Sequence, residues 1–144
     1  MKKNIYEILD EFRAAKSKNE QVAILRNNRS YELENVLRAA LHPHIHFRIT
    51  EMPVYRPLKD IPPGMSYMTI SKELSKMYLF ETNNPKRSPQ LSDKKMYDAL
   101  IQILETLEPR ESEVLIGMLQ KNLKVPGLTY ELMMEIYPDT FLKV

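Results

Sequence analysis

Apolar residues recur at the spacing of an α-helix along most of the chain, and one proline-rich stretch forbids it. Ile5, Ile8, Leu9 and Phe12 fall at i, i+3, i+4 and i+7, which lines one face of a helix over about residues 4–15. Val22 and Leu25 mark a second, shorter helix, which the polar cluster Arg26-Asn27-Asn28-Arg29 ends. Ser30 is placed to cap a third, because a hydroxyl just ahead of a periodic run can accept from the orphaned amides of the first turn. Leu33, Val36, Leu37 and Ala40 give that helix its buried stripe. Three helices joined by such short turns must pack as neighbours.

After Leu41 the period changes. Ile45, Phe47 and Ile49 alternate with His46 and Arg48, the pattern of a short extended segment near 45–49. Pro53, Pro57, Pro62 and Pro63, followed by Gly64, exclude a helix, so 50–66 reads as an irregular crossover. Helices resume at about 71–79, with Ser71 as cap and Leu74, Met77 and Tyr78 apolar. Residues 82–90 are rich in turn formers and read as a polar loop.

Ser92 then opens a helix whose stripe is Met96, Leu100, Ile103, Leu104 and Leu107. Pro109 suits the first position of the next helix, where its missing N–H costs nothing. Val114, Leu115 and Met118 face its core, Gly117 permits a close crossing, and Pro126-Gly127 breaks it. Thr129 caps a last helix carrying Leu132, Met133 and Ile136, which Pro138 stops. The expectation is an all-α fold: one domain over residues 1–144, a compact bundle of about seven helices with one proline-rich crossover.

Composition narrows the function classes. The chain has no cysteine, so disulfides and thiolate metal sites are excluded and a reducing compartment such as the cytoplasm fits. Acidic residues arrive before any long apolar run, so neither a secretory signal nor a membrane span is expected. Net charge is only +2. Residues 1–60 carry 11 Lys/Arg against 8 Asp/Glu, residues 61–100 carry 6 against 4, and residues 101–144 carry 4 against 7. Any basic face therefore belongs to the first two thirds.

Chemistry-bearing motifs are few. His42, His44 and His46 are two residues apart and could share a strand face, but the outer two would be about 13 Å apart. No nearby carboxylate completes a ligand set, so no metal is assigned. Glu105, Glu108, Glu111 and Glu113 cluster at a helix junction, where acidic residues suit the helix dipole. Met133-Met134 sits at helical spacing as core filler. No phosphate loop or nucleophile motif is present, so no enzyme, cofactor or small-molecule substrate is expected. What remains is basic and amide residues at element ends: Arg26, Asn27, Asn28 and Arg29, then Lys86-Arg87, then Lys121 and Lys124 ahead of Thr129. Such residues near a helix start are what phosphate contacts need.

Residues Glu20 to Asn28, continuing through Glu32-Leu33 to Val36-Leu37, resemble the opening of phage-type ATP-dependent DNA ligases. There a helix ending in Ala-Ile-Leu precedes a basic, Asn-containing turn and a second amphipathic helix. His46-Phe47-Arg48-Ile49 and Met52-Pro53 stand where those ligases carry an aromatic extended segment and a Pro-containing stretch. Leu119 to Gly127, then Thr129 to Pro138, is similar to the ligase element that closes the helical DNA-binding domain. The resemblance runs over about residues 4–142 and extends to a family of uncharacterised small tailed-phage proteins. Asn122 replaces the ligase Asp, Pro126 intrudes before Gly127, and Asp139 stands in place of a second Gly. No Lys-x-Asp-Gly is present, so the resemblance implies no adenylylation.

The resemblance implies a non-enzymatic accessory of phage DNA metabolism in the host cytoplasm, gripping duplex or nicked DNA. Its site would be Arg26, Asn27, Asn28, Arg29, Arg48, Lys121, Lys124 and Thr129, with the turn at 26–29 and the helix start after Lys124 on one face. The alternative is an adaptor or inhibitor that binds a replication, transcription or host-defence protein.

Overall fold

A computed structural model describes residues 3–49, 51–57, 69–82 and 92–141. The elements are α1 (Ile5–Ala14), α2 (Lys18–Asn27), α3 (Tyr31–Leu41), α4 (Ile70–Glu73), a 3-10 helix (Leu74–Leu79), α5 (Asp93–Thr106), α6 (Pro109–Leu119), α7 (Tyr130–Ile136) and α8 (Pro138–Phe141). Among the described residues the fold is all-α. The extended segment shrinks to one antiparallel bridge between Phe47 and Glu81, flanked by Arg48 N–H donating to Phe80 O at 2.7 Å and Thr82 N–H to His46 O at 2.8 Å. Residues 51–57 form neither helix nor strand, while 50, 58–66 and the loop at 83–90 lie outside the described residues.

The stripes read from spacing are the buried ones. Ile5, Ile8, Leu9 and Phe12 of α1, Leu33, Val36, Leu37 and Ala40 of α3, and Met96, Leu100, Ile103 and Leu104 of α5 all enter one core. α3 packs on α6, α1 lies against both α2 and α6, and α7 and α8 close over α2 and α3. Local capping chemistry starts the helices. Ser30 Oγ accepts from Leu33 N at 3.1 Å, Ser92 Oγ from Lys95 N at 3.2 Å and Thr129 Oγ1 from Leu132 N at 3.2 Å. Pro109 occupies the first turn of α6.

Three boundaries differ from expectation. The helix expected at 71–79 is one α-turn followed by 3-10 helix, and its cap is Thr69, not Ser71, with Oγ1 accepting from Lys72 N at 3.4 Å. α6 ends at Leu119, well before Pro126-Gly127. Lys121 there takes a left-handed φ of 60°, its N–H donating to Met118 O at 3.1 Å, while Asn122 N–H reaches Gly117 O at 2.8 Å. That pair of bonds is a Schellman termination, which turns the chain sharply back over the helix. A Cβ on Gly117 would lie 3.0 Å from Asn122 O and 3.2 Å from Leu123 Cα, so glycine there makes room for the chain returning over the end of α6, not for a crossing helix. Finally, Pro138 opens α8 instead of simply stopping α7.

Candidate nucleic-acid interface

α2 is the helix least committed to the core: Leu25 is its only buried residue. Ser17 caps it by accepting from Glu20 N at 3.2 Å, and Asn28 closes it, its Nδ2 donating to Ile24 O at 2.7 Å. Lys18, Asn19, Ala23, Arg26 and Asn27 are exposed along it, and Lys16 is exposed just ahead of it. A helix this polar gains little from burial and presents its charges to solvent.

The eight residues expected to touch DNA divide sharply. Arg26 and Asn27 are exposed, and their side chains make no hydrogen bond or ion pair among the described residues. Asn28 spends its amide on the helix end. Arg29 is held internally. Its guanidinium pairs with Glu34 at 2.8 Å and Asp139 at 2.7 Å and lies 4.9 Å over the Tyr137 ring, and the two carboxylates raise its pKa further. Tyr137 beneath it is fully buried, and its hydroxyl donates to Leu25 O; burial pushes the phenol up to about 12.

Arg48 pairs with Asp93 at 2.6 Å. Lys121 donates from Nζ to Ala39 O at 2.7 Å and His42 O at 2.8 Å, which caps the carboxyl end of α3 with a cation. Burial lowers that ammonium to about 8, so it is still charged at neutral pH. Lys124 is exposed, with a φ of 59° that its N–H bond to Asn122 Oδ1 (2.9 Å) supports. Thr129 is the α7 cap, and its carbonyl and hydroxyl take the Met133 and Leu132 amides.

Position divides them as well. The Arg26–Arg29 turn leads into the amino end of α3, whereas Lys121 and Tyr130 sit at its carboxyl end, the Tyr130 ring 5.4 Å from His42. α3 has 11 residues, so the two groups stand apart by its length, ~16 Å.

Two further cations, Arg13 and Arg110, tie the helices together. Arg13 donates to Leu123 O at 3.2 Å and Lys124 O at 3.4 Å, pinning that segment against the end of α1. Arg110 binds both oxygens of Asp10, at 2.8 and 3.0 Å. Only the Asp10–Arg13 spacing of three residues was a local signal. Glu108 and Glu111 are buried instead of solvated at the start of α6. Tyr6 Oη donates to Glu108 and Asn4 Nδ2 to Glu111, each at 2.9 Å, and burial raises the Glu111 pKa. The histidines do not share a strand face. His42 ends α3, buried, with its Nδ1 accepting from His44 N at 3.1 Å, and burial lowers its pKa.

The profile of a family of unknown function, DUF6433, matches residues 8–125. The chain belongs to that family. The match takes in Arg13, Arg26, Arg110 and Lys124, while α7 and α8 follow it. No curated protein matches the sequence. Among the described residues no helix is long and apolar enough to cross a membrane.

Proposed function

We propose that the protein is a non-enzymatic accessory of phage DNA metabolism that holds duplex or nicked DNA without reading its sequence. The observation that carries this is the outward face of α2, where Asn19, Ala23 and Arg26 follow at helical spacing with Asn27 beside them, while Lys16 stands just ahead of the helix with its N–H on the exposed Glu20. Ala23 in the middle keeps the face low, so a sugar-phosphate strand can approach between cations. The Arg13 bonds hold the 123–124 segment to the end of α1, three residues before Lys16, which extends the face to Lys124. The likeness of residues 20–37 to the opening of phage-type ligases supports the same reading. No metal or cofactor enters it.

Lys16, Arg26 and Lys124 have no ion pair among the described residues, so three phosphate contacts are the natural number. Binding should be modest and salt-dependent, with log K falling by about 0.9 per contact per decade of salt. Fluorescence anisotropy on duplexes of unrelated sequence tests this. Arg26→Ala should weaken binding to all of them alike and reduce the salt slope by about one. Wild-type protein that shows no duplex binding at low salt would end the proposal.

That outcome would turn attention to a protein partner, for which one feature speaks. Tyr31 is 78% exposed at the mouth of a groove of about 230 Å³ that reaches Ile45, Leu74 and Met77. An aromatic side chain left this open beside apolar surface is typical of a protein contact.

A further inference from the structure

A cleft of about 430 Å³ separates α1 from α6 and is roofed by the segment that follows α6. Its volume falls within the range of small-ligand sites. Leu9, Val114 and Leu123 are buried behind the cleft, the half-buried Tyr6 and Ile116 supply its more accessible apolar surface, and the Gln120 and Asn122 amides also line it. Asn122 Oδ1 already accepts from Lys124 N, which leaves its amide protons for a guest. Arg13, Arg110 and Lys124 line the same space.

The two arginines are aimed by one carboxylate. Arg13 Nη1 and Arg110 Nη2 each lie 2.8 Å from Asp10 Oδ1, so the two nitrogens are separated by at most twice that distance. Arg110 is steadied from behind, its guanidinium 5.1 Å over the Tyr6 ring, whose hydroxyl is fixed on Glu108. Two guanidinium groups converging so closely can clamp the oxygens of one phosphate. The charged groups lining the cleft are Arg13, Arg110, Lys124 and Glu113, three cations against one carboxylate, while Asp10 and Glu108 bind to Arg13, Arg110 and Tyr6 from outside the lining. The Asp10 pairs are exposed, and pairs of that kind are weak enough for a dianion to displace.

We infer that this cleft binds a nucleoside bearing a phosphate monoester, its phosphate between Arg13 and Arg110 and its base on the apolar surface. An apolar surface with amides beside it suits a flat heterocycle with polar edges, and the converging cations suit its phosphate. A free mononucleotide and the phosphorylated terminal nucleotide of a DNA strand present the same chemistry. The cleft meets the proposed duplex face at Lys124, but its two arginines, Arg13 and Arg110, are not among that face's contacts, and the inference does not rest on duplex binding.

The test is calorimetric titration of the protein at fixed salt with deoxyadenosine 5′-monophosphate, deoxyadenosine and inorganic phosphate. A short single strand with and without a 5′-phosphate makes the second arm. Saturable binding of the nucleotide is expected, with the nucleoside and phosphate alone each at least tenfold weaker. Arg110→Gln should weaken the nucleotide by about tenfold, Arg110→Lys by less, and Asp10→Asn should tighten it. A 5′-phosphorylated strand that binds more tightly than the mononucleotide identifies a strand end as the ligand, and the reverse order identifies a free nucleotide. Equal binding of nucleoside and nucleotide, phosphate as tight as the nucleotide, no saturable binding, or indifference to Arg110→Gln would each overturn the inference. Because the readout is a mononucleotide, its failure is distinguishable from failure of duplex binding at α2.

Discussion

Arg26 and Arg29 are three residues apart, yet they belong to different parts of the molecule's chemistry. Arg26 points its charge at solvent from the last turn of α2, with no partner among the described residues. Arg29 is clasped by Glu34 and Asp139 above a buried tyrosine. The same contrast separates Lys124, which is exposed, from Lys121, which caps α3. A basic residue without a partner can meet a ligand as it stands, whereas a paired one must first give that partner up, and the partner can lie far away in sequence, as Asp139 does from Arg29.

The sharpest way to break the contrast is to remove what Arg29 rests on. Tyr137→Ala should cost about 3–5 kcal/mol in denaturant unfolding, because a large buried ring is lost and Leu25 O is stripped of a donor. Tyr137→Phe should cost much less and should change the alkaline behaviour. Tyr137 and Tyr6 both have folded pKa values of about 12, above the usual 10, so the folded state keeps protons that the unfolded chain releases. The tyrosines' contribution to stability is therefore full below pH 10 and is lost as pH rises from 10 through 12, while Lys121, lowered to about 8, contributes in the opposite sense between 8 and its usual 10.5. Unfolding curves across that window should flatten in Tyr137→Phe, and an unchanged slope would remove Tyr137 from the account.

Next in size is Lys121→Met, which keeps the length of the side chain and deletes two charge-assisted bonds to the end of α3. A loss of about 1–2 kcal/mol is expected by urea titration, with duplex affinity unchanged. The smallest effect comes from the arginine pair itself. Arg29→Ala should lower Tm slightly, Asp139→Ala should do the same, and the double variant should lose less than the two combined. Arg26→Ala should leave Tm in place. Equal thermal losses at positions 26 and 29 would dissolve the distinction.

The helices were legible because their causes are local. Ser30, Ser92, Pro109 and Thr129 act within one turn, and the stripes of α1, α3 and α5 are matters of spacing. Two elements misled for an equally local reason. Ser71 and Thr69 are equivalent as cap types, and only the backbone path chooses between them. Pro126-Gly127 is the local pattern that usually breaks a helix, whereas α6 ends earlier, where Lys121 takes the left-handed position. The candidate site was much less legible. Arg29 finds Asp139 across 110 residues and Arg110 finds Asp10 across 100, and no window of sequence carries either fact.

The bond from Tyr137 to Leu25 also sets an order of events during synthesis. The two residues are 112 apart, so α2 and α3 cannot acquire the cover of α7 and α8 until that length has been made. At ordinary elongation rates the interval is about 6–22 s. For that time Leu25 and the stripe of α3 lack their last neighbours, and the nascent chain shows a sticky face to its surroundings. A chaperone that binds apolar stretches has its opening here, and it closes when Tyr137 docks.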